Sequence, residues 1–192
     1  NFSSTRAVAL ADPANLFSLS SQTDSYNVNG RVFTSVFDSA QLKTVNTSAE
    51  NRQTAVFTDA QGRIIKAQTA NLFDRDFTYD SKGRLTAFSS GTGIDRRATA
   101  IAYNSQGFVD TVTDPLLRTT SFLYDGAGRV TQRTLPDGRV IAYAYDANGN
   151  VTSITPPTRP AHAFAYNAVD MESGYTPPAL PGLPTTATQY AY

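Results

Sequence analysis

Few residues in this chain have the chemistry of a reactive or ligand-holding site. His162 is the only histidine, flanked by Ala161 and Ala163 and followed by Phe164-Ala165-Tyr166. General-base or metal chemistry needs partners of defined type at defined spacing, and none surrounds it in sequence. The sequence therefore predicts no catalytic and no metal-ligating residue. Asp146-Ala147-Asn148-Gly149-Asn150 has the outline of a calcium loop. Its glycine stands fourth rather than sixth, however, and no terminal glutamate follows. Gly91-Thr92-Gly93 and Asn148-Gly149 lack the strand-to-helix context of a phosphate loop, so no cofactor is expected. Asn46-Thr47-Ser48 and Asn150-Val151-Thr152 match the glycosylation sequon, a pattern that arises by chance in a chain rich in Ser and Thr. With no cysteine there is no thiolate nucleophile and no disulfide.

What does recur is a turn. Tyr79-Asp80-Ser81-Lys82-Gly83-Arg84-Leu85 returns as Tyr124-Asp125-Gly126-Ala127-Gly128-Arg129-Val130, and again near Asn27, Asp59, Asn104 and Asp146. Counted from Asp38, the aligned acid or amide positions are 38, 59, 80, 104, 125, 146 and 167, in steps of 21, 21, 24, 21, 21 and 21. Such a period marks a repeat protein in which each unit is one supersecondary element stacked on its neighbours.

Asp-x-x-Gly after an aromatic predicts a hairpin with a three-residue loop, the acid capping the bend and the glycine taking the left-handed position. Loops are expected at 60–62, 81–83, 105–107, 126–128 and 147–149. A constant index sum across each hairpin places Asp59 opposite Arg63, Asp80 opposite Arg84 and Asp125 opposite Arg129, pairs of opposite charge. Tyr79, Tyr103, Tyr124 and Tyr145 then face Leu85, Val109, Val130 and Val151. Alternation extends the apolar face through Phe77, Ile101, Phe122, Tyr143 and Phe164, and stacked repeats make aromatic ladders. The residues that define the repeat are thus Asp59, Gly62, Arg63, Tyr79, Asp80, Gly83, Arg84, Tyr103, Asn104, Gly107, Tyr124, Asp125, Gly128, Arg129, Tyr145, Asp146 and Gly149. Simple alternation assigns Phe88, Val112 and Ile154 to the second face, leaving apolar groups on both.

The far end of each unit also turns, as in Leu135-Pro136-Asp137-Gly138-Arg139. Asp114-Pro115-Leu116-Leu117-Arg118 has the same outline, but Leu117 stands where glycine is easiest, and a locally rebuilt turn is expected. The 24-residue step implies a flexible tip in Ser89-Ser90-Gly91-Thr92-Gly93. Asp12-Pro13-Ala14-Asn15 and Asn27-Val28-Asn29-Gly30 read as two earlier turns, and the proline-rich 177–184 as a loop or sheet edge. About 15 strands result, more than a flat open sheet holds, so the fold class is all-β: tandem hairpins of about 21 residues in one long curved antiparallel sheet. One array is expected over 1–192, clearest over 26–167. Ending at Gln189-Tyr190-Ala191-Tyr192, it reads as a piece cut from a longer one.

Zero formal net charge and 17% charged residues give no electrostatic pull toward nucleic acid. No apolar run approaches the roughly 20 residues that span a bilayer as a helix, so no membrane insertion is expected, and the first residues of this sequence lack the basic start and apolar stretch of a secretory signal.

Tyr-Asp-x-x-Gly-Arg-Val/Leu-Thr at this period resembles the YD repeats of bacterial RHS proteins, toxin-complex C subunits and teneurins. The likeness is strong over about Asn27 to Asn167. It implies a β-ribbon wound into a hollow shell around a C-terminal toxin or effector, in a secreted or cell-surface protein. The partners implied are the rest of the shell and an enclosed polypeptide; open strand edges add self-association. The family's Asp-Pro-x-Gly cleavage segment has no counterpart, since Asp114-Pro115 is followed by Leu-Leu. The expected function is a non-catalytic structural segment, with no enzyme activity. The alternative is an extracellular carbohydrate-binding or adhesion module using the aromatic ladders.

Overall fold

A computed structural model describes residues 1–192 apart from 180, 183 and 184. Contacts divide the chain into two units, Asn1–Thr99 and Ala100–Tyr192. The first holds β1 (Phe2–Leu10), β2 (Leu19–Val28), β3 (Arg31–Asp38), β4 (Lys43–Thr47), β5 (Gln53–Thr58), β6 (Ile64–Thr69), β7 (Arg75–Tyr79) and β8 (Leu85–Ser90). The boundary falls inside β9 (Arg97–Tyr103). The second unit continues with β10 (Val109–Thr113), β11 (Thr119–Tyr124), β12 (Val130–Thr134), β13 (Val140–Tyr145), β14 (Val151–Thr155), β15 (His162–Tyr166), β16 (Glu172–Thr176) and β17 (Thr188–Gln189). The only helical element among the described residues is a 3-10 turn at Gly93–Asp95. The fold is all-β, and the strands number 17 among the described residues where turn counting gave about 15. Within each unit every strand pairs antiparallel with the next in sequence, β1 through β8 and β9 through β17. The expected loops 60–62, 81–83, 105–107, 126–128 and 147–149 all lie between strands.

The innermost pairs are those expected: Tyr79 with Leu85, Tyr103 with Val109, Tyr124 with Val130 and Tyr145 with Val151. The constant index sum then fails. Past Tyr124 and Val130 the next pair is Leu123 with Gln132, so Thr131 is an extra residue in the ladder. The same β-bulge follows the turns at Asp59, Asp80, Asn104, Asp146 and Asn167. One inserted residue reverses side-chain parity from there on. This overturns the second-face expectation, because Phe88 lies opposite Phe77, Val112 opposite Ile101 and Ile154 opposite Tyr143. Cross-strand partners share a face, so these residues belong to the aromatic ladder. On the other face of the second unit Ala144, Ser153 and Ala163 form one row and Ala165 stands beside Gly174, while Leu123 and Val140 are large residues exposed on it.

At Asp38 no bulge is needed. Asp38 pairs with Lys43 across a loop one residue longer, and the register stays constant through Thr34 and Thr47. The far-end turns are likewise free of bulges, as in Thr134–Val140 through Gln132–Ala142.

Three other expectations change. The 114–118 turn is not rebuilt: the Leu117 amide donates to the Asp114 carbonyl at 2.9 Å with Leu117 at φ 61°. Asp114 holds that geometry by accepting from the amides of Leu116 and Arg118 at 2.9 and 3.0 Å. The insertion is not a loose tip, since Ser89 is 5% exposed and accepts from Arg96 at 3.1 Å. The turn assigned to Asn27–Gly30 moves by one residue, to Asn29-Gly30 with both φ positive, between the paired Val28 and Arg31. Asp12–Asn15 does turn. The proline-rich loop lies partly outside the described residues; Pro177 and Pro178 have no strand structure. Among the described residues no hydrophobic side chain is buried, as befits a layer with nothing packed on it.

Candidate functional site

Each YD turn is built around its acid. The Asp125 amide donates to the Arg129 carbonyl and the Gly128 amide to the Asp125 carbonyl, both at 3.0 Å, with Gly128 at φ 81°. Oδ1 of Asp125 accepts from the amides of Ala127 and Arg129 at 3.0 Å, and Oδ2 takes Nε of Arg129 at 2.7 Å. Asp80 repeats this with Lys82 and Arg84, and Asp59 with Gln61 and Arg63. Asn104 makes the two amide contacts alone, at 3.0 Å to Gln106 and Phe108. One carboxylate thus satisfies two amides that the bend leaves without ladder partners. Those amides, of Arg129 and of Arg84, hold Asp125 and Asp80 below the usual carboxylate range; partial burial opposes them, and the guanidinium adds to the lowering.

The tyrosine and arginine reach across to the neighbouring hairpin. Tyr79 Oη donates to the Ile64 carbonyl at 2.9 Å, Tyr124 to Val109 at 2.7 Å, Tyr145 to Val130 at 2.8 Å and Tyr166 to Val151 at 3.0 Å. Every acceptor is the residue at which the preceding hairpin's ladder slips register. Burial pushes the Tyr124 and Tyr166 phenols up, so they stay protonated and donate. The Arg63 guanidinium lies 4.8 Å from the Tyr79 ring centre and that of Arg129 4.7 Å from Tyr145. Arg129 Nη1 also donates to the Asp146 carbonyl at 3.0 Å. Where Phe108 replaces the arginine it stacks on Tyr124, ring centres 5.0 Å apart.

The glycines serve that contact as well as the turn. A Cβ on Gly128 would stand 2.6 Å from the Phe108 ring, and one on Gly83 3.2 Å from Nη1 of Arg63. Gly62, Gly107 and Gly149 share the positive φ. At Asp146 the arginine position is Asn150, whose Nδ2 donates to Asp146 at 3.1 Å and to Asp170 at 2.8 Å, tying two turns together. The structure therefore joins Tyr, Asp, Gly and Arg of successive repeats into one inter-repeat lock. Sequence reasoning treated tyrosine as an apolar partner and missed its hydroxyl. The available signal was the choice of Tyr over Phe at 79, 124, 145 and 166, each 20 residues after the preceding turn's acid or amide, and at 103, 23 residues after Asp80.

The other candidates find ordinary places. His162 lies in β15, its Nδ1 2.7 Å from Tyr175 Oη and its ring 5.9 Å from that of Tyr175. Among the described residues no group of three or more His, Asp or Glu side chains is placed to hold a metal. Asn46 of the first sequon is mid-strand in β4, and Asn150 of the second belongs to the lock. No helix among the described residues is long and apolar enough to cross a membrane.

The family model of the teneurin YD-shell matches residues 11–177. The chain belongs to the YD-shell family. No curated protein matches this YD-shell segment. Solved structures do share its fold. The crystal structure of TcdB2-TccC3-Cdc42 is 18% identical with a TM-score of 0.59, over 91% of this chain and 10% of that one. The Photorhabdus luminescens Tc holotoxin pore with a mutant TccC3 is 16% identical with a TM-score of 0.56, over 83% and 8%. TcdB2-TccC3-TEV is 18% identical with a TM-score of 0.56, over 84% and 9%. The segment thus spans about a tenth of the chains it resembles.

Proposed function

We propose that this YD-shell segment is a non-catalytic stretch of a shell wall that encloses a C-terminal toxin or effector in a larger secreted or cell-surface protein. The observation that carries this reading is the lock itself: the polar groups of the motif bond to one another and to backbone, which builds a wall and leaves no reactive set. The repeat-defining residues from Asp59 to Gly149 are then wall-building residues, and 1–192 is one array. The uncovered apolar ladder face supports the presence of a further layer or guest. The ladder tyrosines 79, 124, 145 and 166 have their hydroxyls engaged on the preceding repeat, which disfavours the ladders as a sugar-stacking surface. Edge strand β1, nine residues long and exposed over its first eight, supports self-association of the isolated segment.

The test is limited proteolysis of the parent protein with and without this segment. Enclosure requires that the C-terminal domain lose protection on deletion; equal protection overturns it. Turnover of a substrate by the segment, abolished by His162→Ala, would overturn the non-catalytic reading.

A further inference from the structure

In the second unit the two ends of the hairpins differ in charge. Every charged side chain there sits in a turn or within two residues of one. At the YD end stand Asp110, Asp125, Asp146, Asp170 and Glu172 against Arg129 alone. At the far end stand Arg118, Arg133, Arg139 and Arg159 against Asp114 and Asp137. Among the described residues only Asp125 of the five YD-end acids has a cationic partner. Arg118 and Arg139 pair with Asp114 and Asp137, whereas Arg133 and Arg159 are exposed and pair with no acid among the described residues.

The two rows also share a pitch. Arg118, Arg139 and Arg159 stand just before β11, β13 and β15, and the acid-bearing turns 125–129, 146–150 and 167–171 follow the same three strands. Both rows therefore repeat every second strand, at about 9.6 Å from a strand spacing of about 4.8 Å. Leu116 and Leu117 protrude at the far end, 70% and 86% exposed, and Leu117 holds a φ of 61° that glycine would take without strain. Strain and exposure in one residue point to a contact made outside this segment.

We infer that the far end of this unit docks against the YD end of another stretch of the same repeats, strands end to end and offset by one strand. That offset sets Arg118 toward Asp125, Arg139 toward Asp146, and Arg159 toward Asp170 and Glu172. It seats Leu116 and Leu117 over the Gly126-Ala127 turn, where a Cβ on Gly126 would have nothing within 4 Å. A bilayer or a flexible polyanion matches the arginines in sign but not in pitch. The contact joins unlike ends, so it extends stretches in a row rather than closing a pair. It rests on the wall reading only in naming what lies beside this stretch. Exposed ion pairs are individually weak, so a single segment shows the contact at high concentration.

The experiment is sedimentation equilibrium of the whole chain, a second copy serving as partner, up to millimolar concentration in about 20 mM and about 500 mM salt. The expected result is association that weakens about tenfold at the higher salt. Arg159→Glu and Glu172→Arg each weaken it about fivefold at low salt, and an equal mixture of the two recovers it. Leu117→Gly, which folds at least as well as the unaltered chain, also weakens it about fivefold. No association, association indifferent to salt and to these variants as strand pairing along β1 would be, or a mixture that recovers nothing overturns the proposal. These outcomes leave enclosure untouched, and a parent whose C-terminal domain stays protected without this segment removes enclosure while leaving the contact standing.

Discussion

The two ends of each hairpin obey different rules. At the YD end a bulge follows the turn, an acid holds two amides, and Tyr and Arg bind the adjacent repeat. At the far end the register is straight and, among the described residues, no tyrosine reaches the adjacent repeat; Leu135–Arg139, Asp114–Arg118 and Ser48–Arg52 close equivalent loops, of which the Asp114 loop alone keeps the acid-held amides and the arginine partner of a YD turn. Arg139 pairs with Asp137 of its own loop at 2.7 Å, with both side chains more than half exposed. Links between repeats thus concentrate at one end, where sequence is repetitive, and the other end is free to vary because its turns satisfy only themselves.

The sharpest way to break that contrast is Gly128→Val. A β-branched residue at φ 81° beside the Phe108 ring has neither conformation nor space, and we expect a loss of about 2–3 kcal/mol in urea denaturation. Gly126, with open space around it, should tolerate alanine with little change. Equal midpoints for the two would show that the left-handed position is misassigned.

Removing one link across the lock comes next. Tyr145→Phe leaves the Val130 carbonyl without its donor and should cost about 1 kcal/mol. Arg129→Lys loses the guanidinium over Tyr145 and should cost about 0.5–1 kcal/mol, against a few tenths for Arg139→Lys at the far end. If the two arginine variants melt alike, the ends do not differ as described.

Acid probes the turn carboxylates as a set. Asp59, Asp80 and Asp125 titrate below the ordinary carboxylate pKa of about 3.9, so their contribution is complete above that value and declines as pH falls through the lowered one. Melting temperature should be level with respect to these groups down to about pH 4 and drop below it. Asp125→Asn should be less stable at neutral pH and show a shallower acid drop; an unchanged slope would show that the carboxylate's charge is irrelevant.

The smallest effect belongs to the far end. Leu117→Gly relieves a left-handed leucine at φ 61° but frees the unfolded chain, for a net gain of roughly 0.5 kcal/mol. A loss would mean that the exposed Leu117 side chain makes contacts elsewhere.

Turn placement and the pairs Tyr–Leu/Val and Asp–Arg were legible because each depends on five to seven consecutive residues. Leu117 shows the limit of residue preference: the side chain of Asp114 and the paired strands on either side outweigh about 1 kcal/mol of strain. Ser89 shows another, since an insertion rich in Gly and Ser reads as loose until Arg96 is seen folded back on it.

By itself the sequence determined the period, the hairpin tips and the all-β class, since those follow from local backbone geometry and alternation. Tertiary structure decided which face each residue occupies beyond a turn, because a single bulge reverses parity and moves Phe88, Val112 and Ile154 onto the ladder. It also decided what the tyrosine hydroxyls and the arginines meet, since those partners lie on other strands and alternation says nothing of what stands beside them.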